Sequence, residues 1–398
     1  MQREPVQAPG ICVRSNAQIS GPPAGEVKVL IDEALKLPEI SEARAENRGI
    51  HTWSPRGRKR MKWNPVVLAL AVAFGCCKLE SQELKIAHLG ECPLESHDVI
   101  KDCQLGYRTF GSLNEAKSNV ILFPMWASGR SEQAVPLAGA GKYLDSSKYF
   151  VIVVDALANG VSSSPSNSKQ QPRMQFPKIT IHDMVVAEHK LMAEVFHLNH
   201  VFAVLGQSMG GMQTFDWVVS YPDFMDKAIP IVGSPKLASY DLILWQAEID
   251  AIKADPSWMQ GSYKDNPSPP ADRRIAALTL TTPAYVNGQV HEGEMPQRRS
   301  GGGVAMDAND HIRQAEAMMA MDISKSSNGS MEEVAKRVKA KVFVIVSKED
   351  HTVTPGPALN FAKLLNAPKL ELDSPCGHLA TMCEMAQMTV AIAEFLQN

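Results

Sequence analysis

Two short stretches, VILFP (120–124) and YFVIVVDAL (149–157), are nearly continuous in apolar residues and rich in β-branched ones. A strand with one wet face alternates polar and apolar side chains, so runs like these describe strands that are dry on both faces. VFAVLG (201–206), KAIPIVGS (227–234) and KVFVIVS (341–347) have the same character. Between them lie helical patterns. IHDMVVAEHKLMAEVFHL (181–198) turns Met184, Val185, Leu191, Val195 and Phe196 toward one side, and MQTFDWVVSYP (212–222) is a helix ended by Pro222. This alternation predicts a mostly parallel central sheet with helices on both faces. ELKIAHLG (83–90) and CQLGYRTFG (103–111) read as early strands. PALNFAKLLN (357–366), KLELDS (369–374) and one last helix in LATMCEMAQMTVAIAEFLQ (379–397) resume the rhythm at the other end. The alternation is interrupted from about 235 to 339 by helical pieces and turn-rich sequence, which predicts a helical cap inserted after one strand.

With 398 residues, 44% of them hydrophobic and 21% charged, the chain can bury a large core. Its formal net charge of −3 leaves no broad basic field, so no nucleic-acid partner is expected and a small molecule is. Residues 1–60 lack periodicity and end in the basic SPRGRKRMK, which reads as a disordered tail or a start of translation assigned too early. Met61 to Cys77 then carries a lysine followed by an apolar stretch from Pro65 to Phe74. That stretch is shorter than the ~20 residues a spanning helix needs and suits the apolar part of a secretory signal. Cys76 resembles an acylated lipoprotein cysteine, although Phe74 stands where that pattern wants a small residue. The expected location is therefore outside the cytoplasm, periplasmic or lipid-anchored, with the cytoplasm as the alternative. Beyond the signal, Cys92, Cys103, Cys376 and Cys383 allow three pairings; Cys92 and Cys103 could bridge neighbouring strands, or all could be buried thiols.

VFAVLGQSMGGMQ (201–213) decides the chemistry. A phosphate loop would need a lysine after its glycines, and the dinucleotide fingerprint needs a different glycine spacing. GQSMG fits G-x-S-x-G between a strand and a helix, which places Ser208 on a sharp turn with its hydroxyl exposed. A serine hydroxyl needs a base and an orienting acid, and on such a fold these follow later strands in the order acid, then histidine. Asp350 lies just past KVFVIVS and His378 in a loop after KLELDS; Glu349 or Asp373 could orient the histidine instead. The developing oxyanion is expected to meet the N–H of Met209 and a second N–H from the loop after VILFP, that of Ala127 or Trp126. Trp126 could also wall an acyl pocket or simply pack under the cap.

GQSMGGMQTFDWVVSYPD (206–223) resembles the nucleophile segment of the homoserine O-acetyltransferase family within the α/β-hydrolase superfamily. YRTFGSLNEAKSNVILFP (107–124), DPSWMQGSY (255–263) and MDANDHIRQAEAMMAMDI (306–323) match as well, so the resemblance covers roughly Leu84 to the C-terminus. It implies an α/β-hydrolase fold and a two-step reaction: Ser208 takes an acyl group from an ester or thioester and passes it to an acceptor. In this mechanism His378 relays the proton and Asp350 holds the imidazole. The resemblance also implies a homodimer through cap helices. No metal or bound cofactor is implied, only acyl-CoA as a donor substrate. Members that bind homoserine resemble one another in an aspartate directly after the histidine, where this chain has Leu379. Their arginine and tyrosine in the first half of the cap fall on Ala276 and Pro283, with Arg273 or Arg274 as possible substitutes. Water is therefore the expected acceptor, making the chain an esterase. A homoserine O-acetyltransferase, and a non-catalytic binding protein of the same fold, are the alternatives.

Overall fold

The apolar runs form the middle of a nine-stranded sheet in the computed structural model, which describes residues 83–267, 269–289 and 306–398. The readings of a tail at 1–60 and a signal at 61–77 lie outside the described residues. The strands are β1 (Lys85–Pro93), β2 (Val99–Phe110), β3 (Val120–Pro124), β4 (Phe150–Val154), β5 (Val201–Gln207), β6 (Met225–Ile231), β7 (Lys341–Val342), β8 (Val344–Ser347) and β9 (Lys369–Leu372). Their spatial order is β1-β2-β4-β3-β5-β6-β8-β9, with β7 also on β6. The pairs β1–β2 and β2–β4 are antiparallel and the rest parallel, so β2 alone runs against the others, one strand in from the edge.

Side-chain alternation sends residues of each central strand to opposite faces. Val120 and Leu122 of β3 join one apolar cluster, with Met184 and Val185 of α1 (Ile181–Glu194) and Phe215 and Trp217 of α2 (Met209–Ser220). Ile121 and Phe123 join the other, with Met388 and Ile392 of the C-terminal helix. All five β3 residues are buried, which is why this strand shows no polar alternation.

Between β6 and β7 the described chain forms helices and no strand: α3 (Ser239–Ala254), α4 (Pro270–Thr279), α5 (Pro283–Gln289), α6 (Ala308–Met319) and α7 (Met331–Ala335). His311 of α6 lies 3.1 Å from Glu248 of α3 and 4.0 Å from Asp272 of α4, so one imidazole and two carboxylates draw three helices together. Beyond β8 come α8 (Gly356–Leu365) and, after β9, the final apolar run. That run reads as one helix in sequence but folds as two, α9 (Ala380–Cys383) and α10 (Met385–Gln397), with a 74° bend where they meet at Glu384. Cys383 is bonded to Cys376, which draws α9 back over the loop before it. Met388, Ile392 and Leu396, four residues apart, meanwhile carry α10 onto the sheet.

Candidate active site

Ser208 caps α2 at the end of β5 with φ 58° and ψ −119°, a conformation that costs a non-glycine residue of order 1–3 kcal/mol. Its neighbours make the turn possible. A Cβ on Gly206 would collide with the carbonyl of Gly210, and one on Gly210 with the carbonyl of Pro124 at the end of β3. Glycine at both positions lets strand, helix and adjacent strand approach this closely. Ser208 N–H donates to Ile231 O at 2.8 Å, so β6 also holds the turn.

His378 Nε2 lies 2.8 Å from Ser208 Oγ, and its Nδ1 lies 2.7 Å from Asp350 Oδ2. The second oxygen of Asp350 accepts the backbone N–H groups of Thr352 and Val353 at 2.8 and 2.9 Å, fixing the carboxylate plane. Ser208, His378 and Asp350 are only 8%, 5% and 4% exposed, so water screens the relay little. The structure thus brings together the serine, histidine and aspartate singled out in sequence. Glu349 is exposed, and Asp373 instead pairs with Lys348 at 2.8 Å.

Met209 begins α2, so its N–H has no helical acceptor by position. Met125 N–H is used by Val154 O, whereas the N–H groups of Trp126 and Ala127 donate to no backbone acceptor among the described residues. The Trp126 ring packs edge-on to Phe123, centroids 6.5 Å apart, and over Gly129 of its own loop.

Several residues that sequence alone did not single out hold these parts in place. Gln213, fully buried on α2, donates to the carbonyls of Met125 and Met209 at 3.2 and 3.3 Å, tying elbow to β3 loop. Gln314 of α6 accepts Ser128 N–H at 2.8 Å and donates to Leu157 O at 3.0 Å. Asp155 binds Ser131 through N–H and Oγ at 2.7 and 2.6 Å, and burial raises its carboxyl above the ordinary range. Asp241 of α3 accepts from Thr354 N and Oγ1, both at 3.1 Å, just past the Asp350 turn; burial, then the nearby Asp350 charge, raises its carboxyl. The inter-helix segment also grips the histidine loop, because Thr282 Oγ1 donates to Pro375 O at 2.6 Å and Leu379 N–H to Leu280 O at 3.3 Å. These are long-range polar pairs with no local periodicity to announce them.

Residues 128–383 match the family model of the alpha/beta hydrolase fold. The chain is 32% identical to ethyl acetate hydrolase of Pseudomonas veronii, over 76% of its own length and 91% of that relative. It is 30% identical to homoserine O-acetyltransferase of Thermobifida fusca, over 76% and 91% of the two chains. Among solved structures, the acetyl esterase MekB superposes with a TM-score of 0.75 at 30% identity, covering 80% of this chain and 98% of that one. The chain belongs to the α/β-hydrolase fold family. With esterases and O-acetyltransferases among its relatives, it is an enzyme of acyl transfer and ester hydrolysis.

Proposed function

We propose that the chain is a carboxylester hydrolase working through an acyl-serine at Ser208. The observation that carries this is the relay of 2.8 and 2.7 Å bonds from Ser208 through His378 to Asp350 on a strained strand-to-helix turn. Ser208 Oγ attacks the ester carbonyl while His378 Nε2 takes its proton, and the oxyanion is met by Met209 N–H together with that of Trp126 or Ala127. His378 returns the proton to the departing alkoxide, releasing an alcohol. Water then attacks the acyl-serine, losing its proton to His378, and the acid leaves as Ser208 regains its hydrogen. Asp350 keeps Nδ1 protonated and the ring in plane throughout.

Leu379 favours water over homoserine. It follows His378 directly, packs its side chain against the apolar cluster and offers no charge to an amine. Ala276 and Pro283 give no cation or hydroxyl for a carboxylate either. Burying an unpaired ammonium costs several kcal/mol, so an acceptor carrying one is disfavoured. Transfer from acyl-CoA to homoserine is the second reading, supported by the acetyltransferase relatives. The full chain is assayed with p-nitrophenyl acetate and with acetyl-CoA plus homoserine. Fast ester hydrolysis with CoA release independent of homoserine is expected; homoserine-dependent CoA release well above that background would replace the esterase reading.

Helices α3 to α7 serve as a cap over this site, and the exposed Tyr240 and Ile243 of α3 with Leu278 of α4 offer an apolar face for a homodimer. Elution of the protein as a dimer in size-exclusion chromatography tests that assignment. We also propose export. Disulfides Cys92–Cys103 and Cys376–Cys383 suit an oxidising compartment, in keeping with the apolar run from Pro65 to Phe74. N-terminal sequencing of the expressed protein tests whether residues before Cys76 are removed.

A further inference from the structure

His378 lies inside a covalent ring. Cys376 and Cys383 are disulfide-bonded at a separation of seven residues, and the histidine is enclosed between them. The histidine has no strand or long helix to hold it. It sits in the single 3-10 turn Gly377–Leu379, entered through Gly377 at φ +60°, and the turn runs straight into α9. The noncovalent ties of this loop are Thr282 to Pro375 on one flank, Gln207 Nε2 to Thr381 Oγ1 at 2.8 Å on the other, and between them the backbone bonds of Leu379 N–H to Leu280 O at 3.3 Å and to Cys376 O at 3.1 Å. Gly377 N–H meets Ser374 O only at 3.5 Å, at the limit of a hydrogen bond. Among the described residues, the disulfide is the one covalent cross-link on the backbone carrying the imidazole, and it adds to these hydrogen bonds a fixed limit on the length of the loop.

We propose that Cys376 and Cys383 are positioning residues for His378, and that turnover depends on the bond between them. This rests on the reading of His378 as the base. The two ends of the bridge differ: Cys376 is buried in the apolar cluster under the loop, whereas Cys383 is exposed, so a reductant can reach it. A small dithiol reduces it by donating two electrons and two protons. The protein gains two thiols as the dithiol closes to its own cyclic disulfide. Freed of the ring, α9 no longer bends back onto the loop, and Nε2 spends less time within reach of Ser208 Oγ. Displacements near 1 Å in such constellations lower rates by about 100-fold.

The test uses the full chain, treated with dithiothreitol, desalted and assayed with p-nitrophenyl acetate, with thiols at 376 and 383 counted by peptide mass mapping. Opening this bond is expected to lower kcat at least about tenfold while KM stays within roughly threefold, with recovery on reoxidation. The low-field Nδ1 proton resonance of the His378–Asp350 pair should broaden or disappear. A Cys92→Ser/Cys103→Ser variant should respond to dithiol in the same way, and a Cys376→Ser/Cys383→Ser variant should start at low kcat and ignore dithiol. Unchanged kcat with both thiols free overturns the proposal. So does a loss of rate that follows only the loss of far-UV circular dichroism, since the bond would then hold the fold rather than the histidine; this reading of the reduced wild type applies even if the double variant does not fold. An oxidised wild type that neither hydrolyses the ester nor reacts with a fluorophosphonate at Ser208 would instead remove the esterase reading beneath it.

Discussion

Gln207, the residue before Ser208, donates from Nε2 to Oγ1 of Thr381, three residues after His378, at 2.8 Å. The strand that ends in the nucleophile and the helix that follows the base are therefore joined side chain to side chain, independently of the bond between Ser208 and His378. Thr381→Val keeps the shape and removes the acceptor. Because Gln207 is half-buried, losing the bond should cost about 1 kcal/mol, to be read from urea unfolding, and kcat should fall severalfold with little change in KM.

Asp350→Asn preserves the size of the side chain but turns the imidazole to the wrong tautomer. By analogy with serine proteases, kcat on p-nitrophenyl acetate should drop by about 10⁴-fold with the melting temperature nearly unchanged. A loss of less than tenfold would show that another acid does this work.

Gly210→Ala tests the elbow itself. The added methyl would strike the carbonyl of Pro124, a backbone atom that cannot swing aside. Destabilisation of roughly 3 kcal/mol is expected in a denaturant series, with kcat reduced in whatever folds.

Gln314→Leu leaves Ser128 N–H and Leu157 O without their partners on α6. Because Ser128 follows the two candidate oxyanion donors, kcat should fall by roughly tenfold or more, and a boronate that mimics the tetrahedral adduct should bind correspondingly more weakly. Equal losses in substrate and boronate affinity would assign Gln314 to binding instead.

Glu188 of α1 supplies a pH signature. Burial pushes its carboxyl up to about 8; the bond from Trp217 Nε1 at 2.8 Å acts in the opposite direction, and the Asp216 charge adds to the rise. At neutral pH the folded chain thus holds a proton that the unfolded chain has released. Stability contributed by this group is complete below its ordinary pKa of 4.5 and is lost as pH rises toward about 8. The slope reaches about 1.4 kcal/mol per pH unit within that window. Glu188→Gln should flatten the fall in stability between pH 5 and pH 8 measured by urea unfolding, on the order of 1 kcal/mol or more. An unchanged slope would assign the pH response to other groups.

Much of this was legible in the sequence because it is local. Runs such as VILFP and VFAVLG declare dry strands, and the glycines around Ser208 declare a turn; Asp350 stands just past a buried strand and His378 in the loop after the final one. The break at Glu384 was not legible, because apolar spacing continues through it and only the Cys376–Cys383 bond and the two packing directions require a bend. Nor was the choice among cysteine pairings, since each depends on which strands and loops become neighbours. Gln213, Gln314, Thr381 and Asp241 were invisible for the same reason: an amide, hydroxyl or carboxylate at an ordinary helical position gains its meaning from a partner far away along the chain.

The grip of Thr282 on Pro375 and of Asp241 on Thr354 has a consequence for descent as well as for mechanism. The helical segment between β6 and β7 is fastened to the loops carrying His378 and Asp350. Substitutions at Thr282 or Asp241 are expected to disturb the loop that each one holds. A duplicated copy selected for a new alcohol would pass through ancestors of altered turnover, and compensating changes should gather around Pro375 and Thr354 rather than around the ligand.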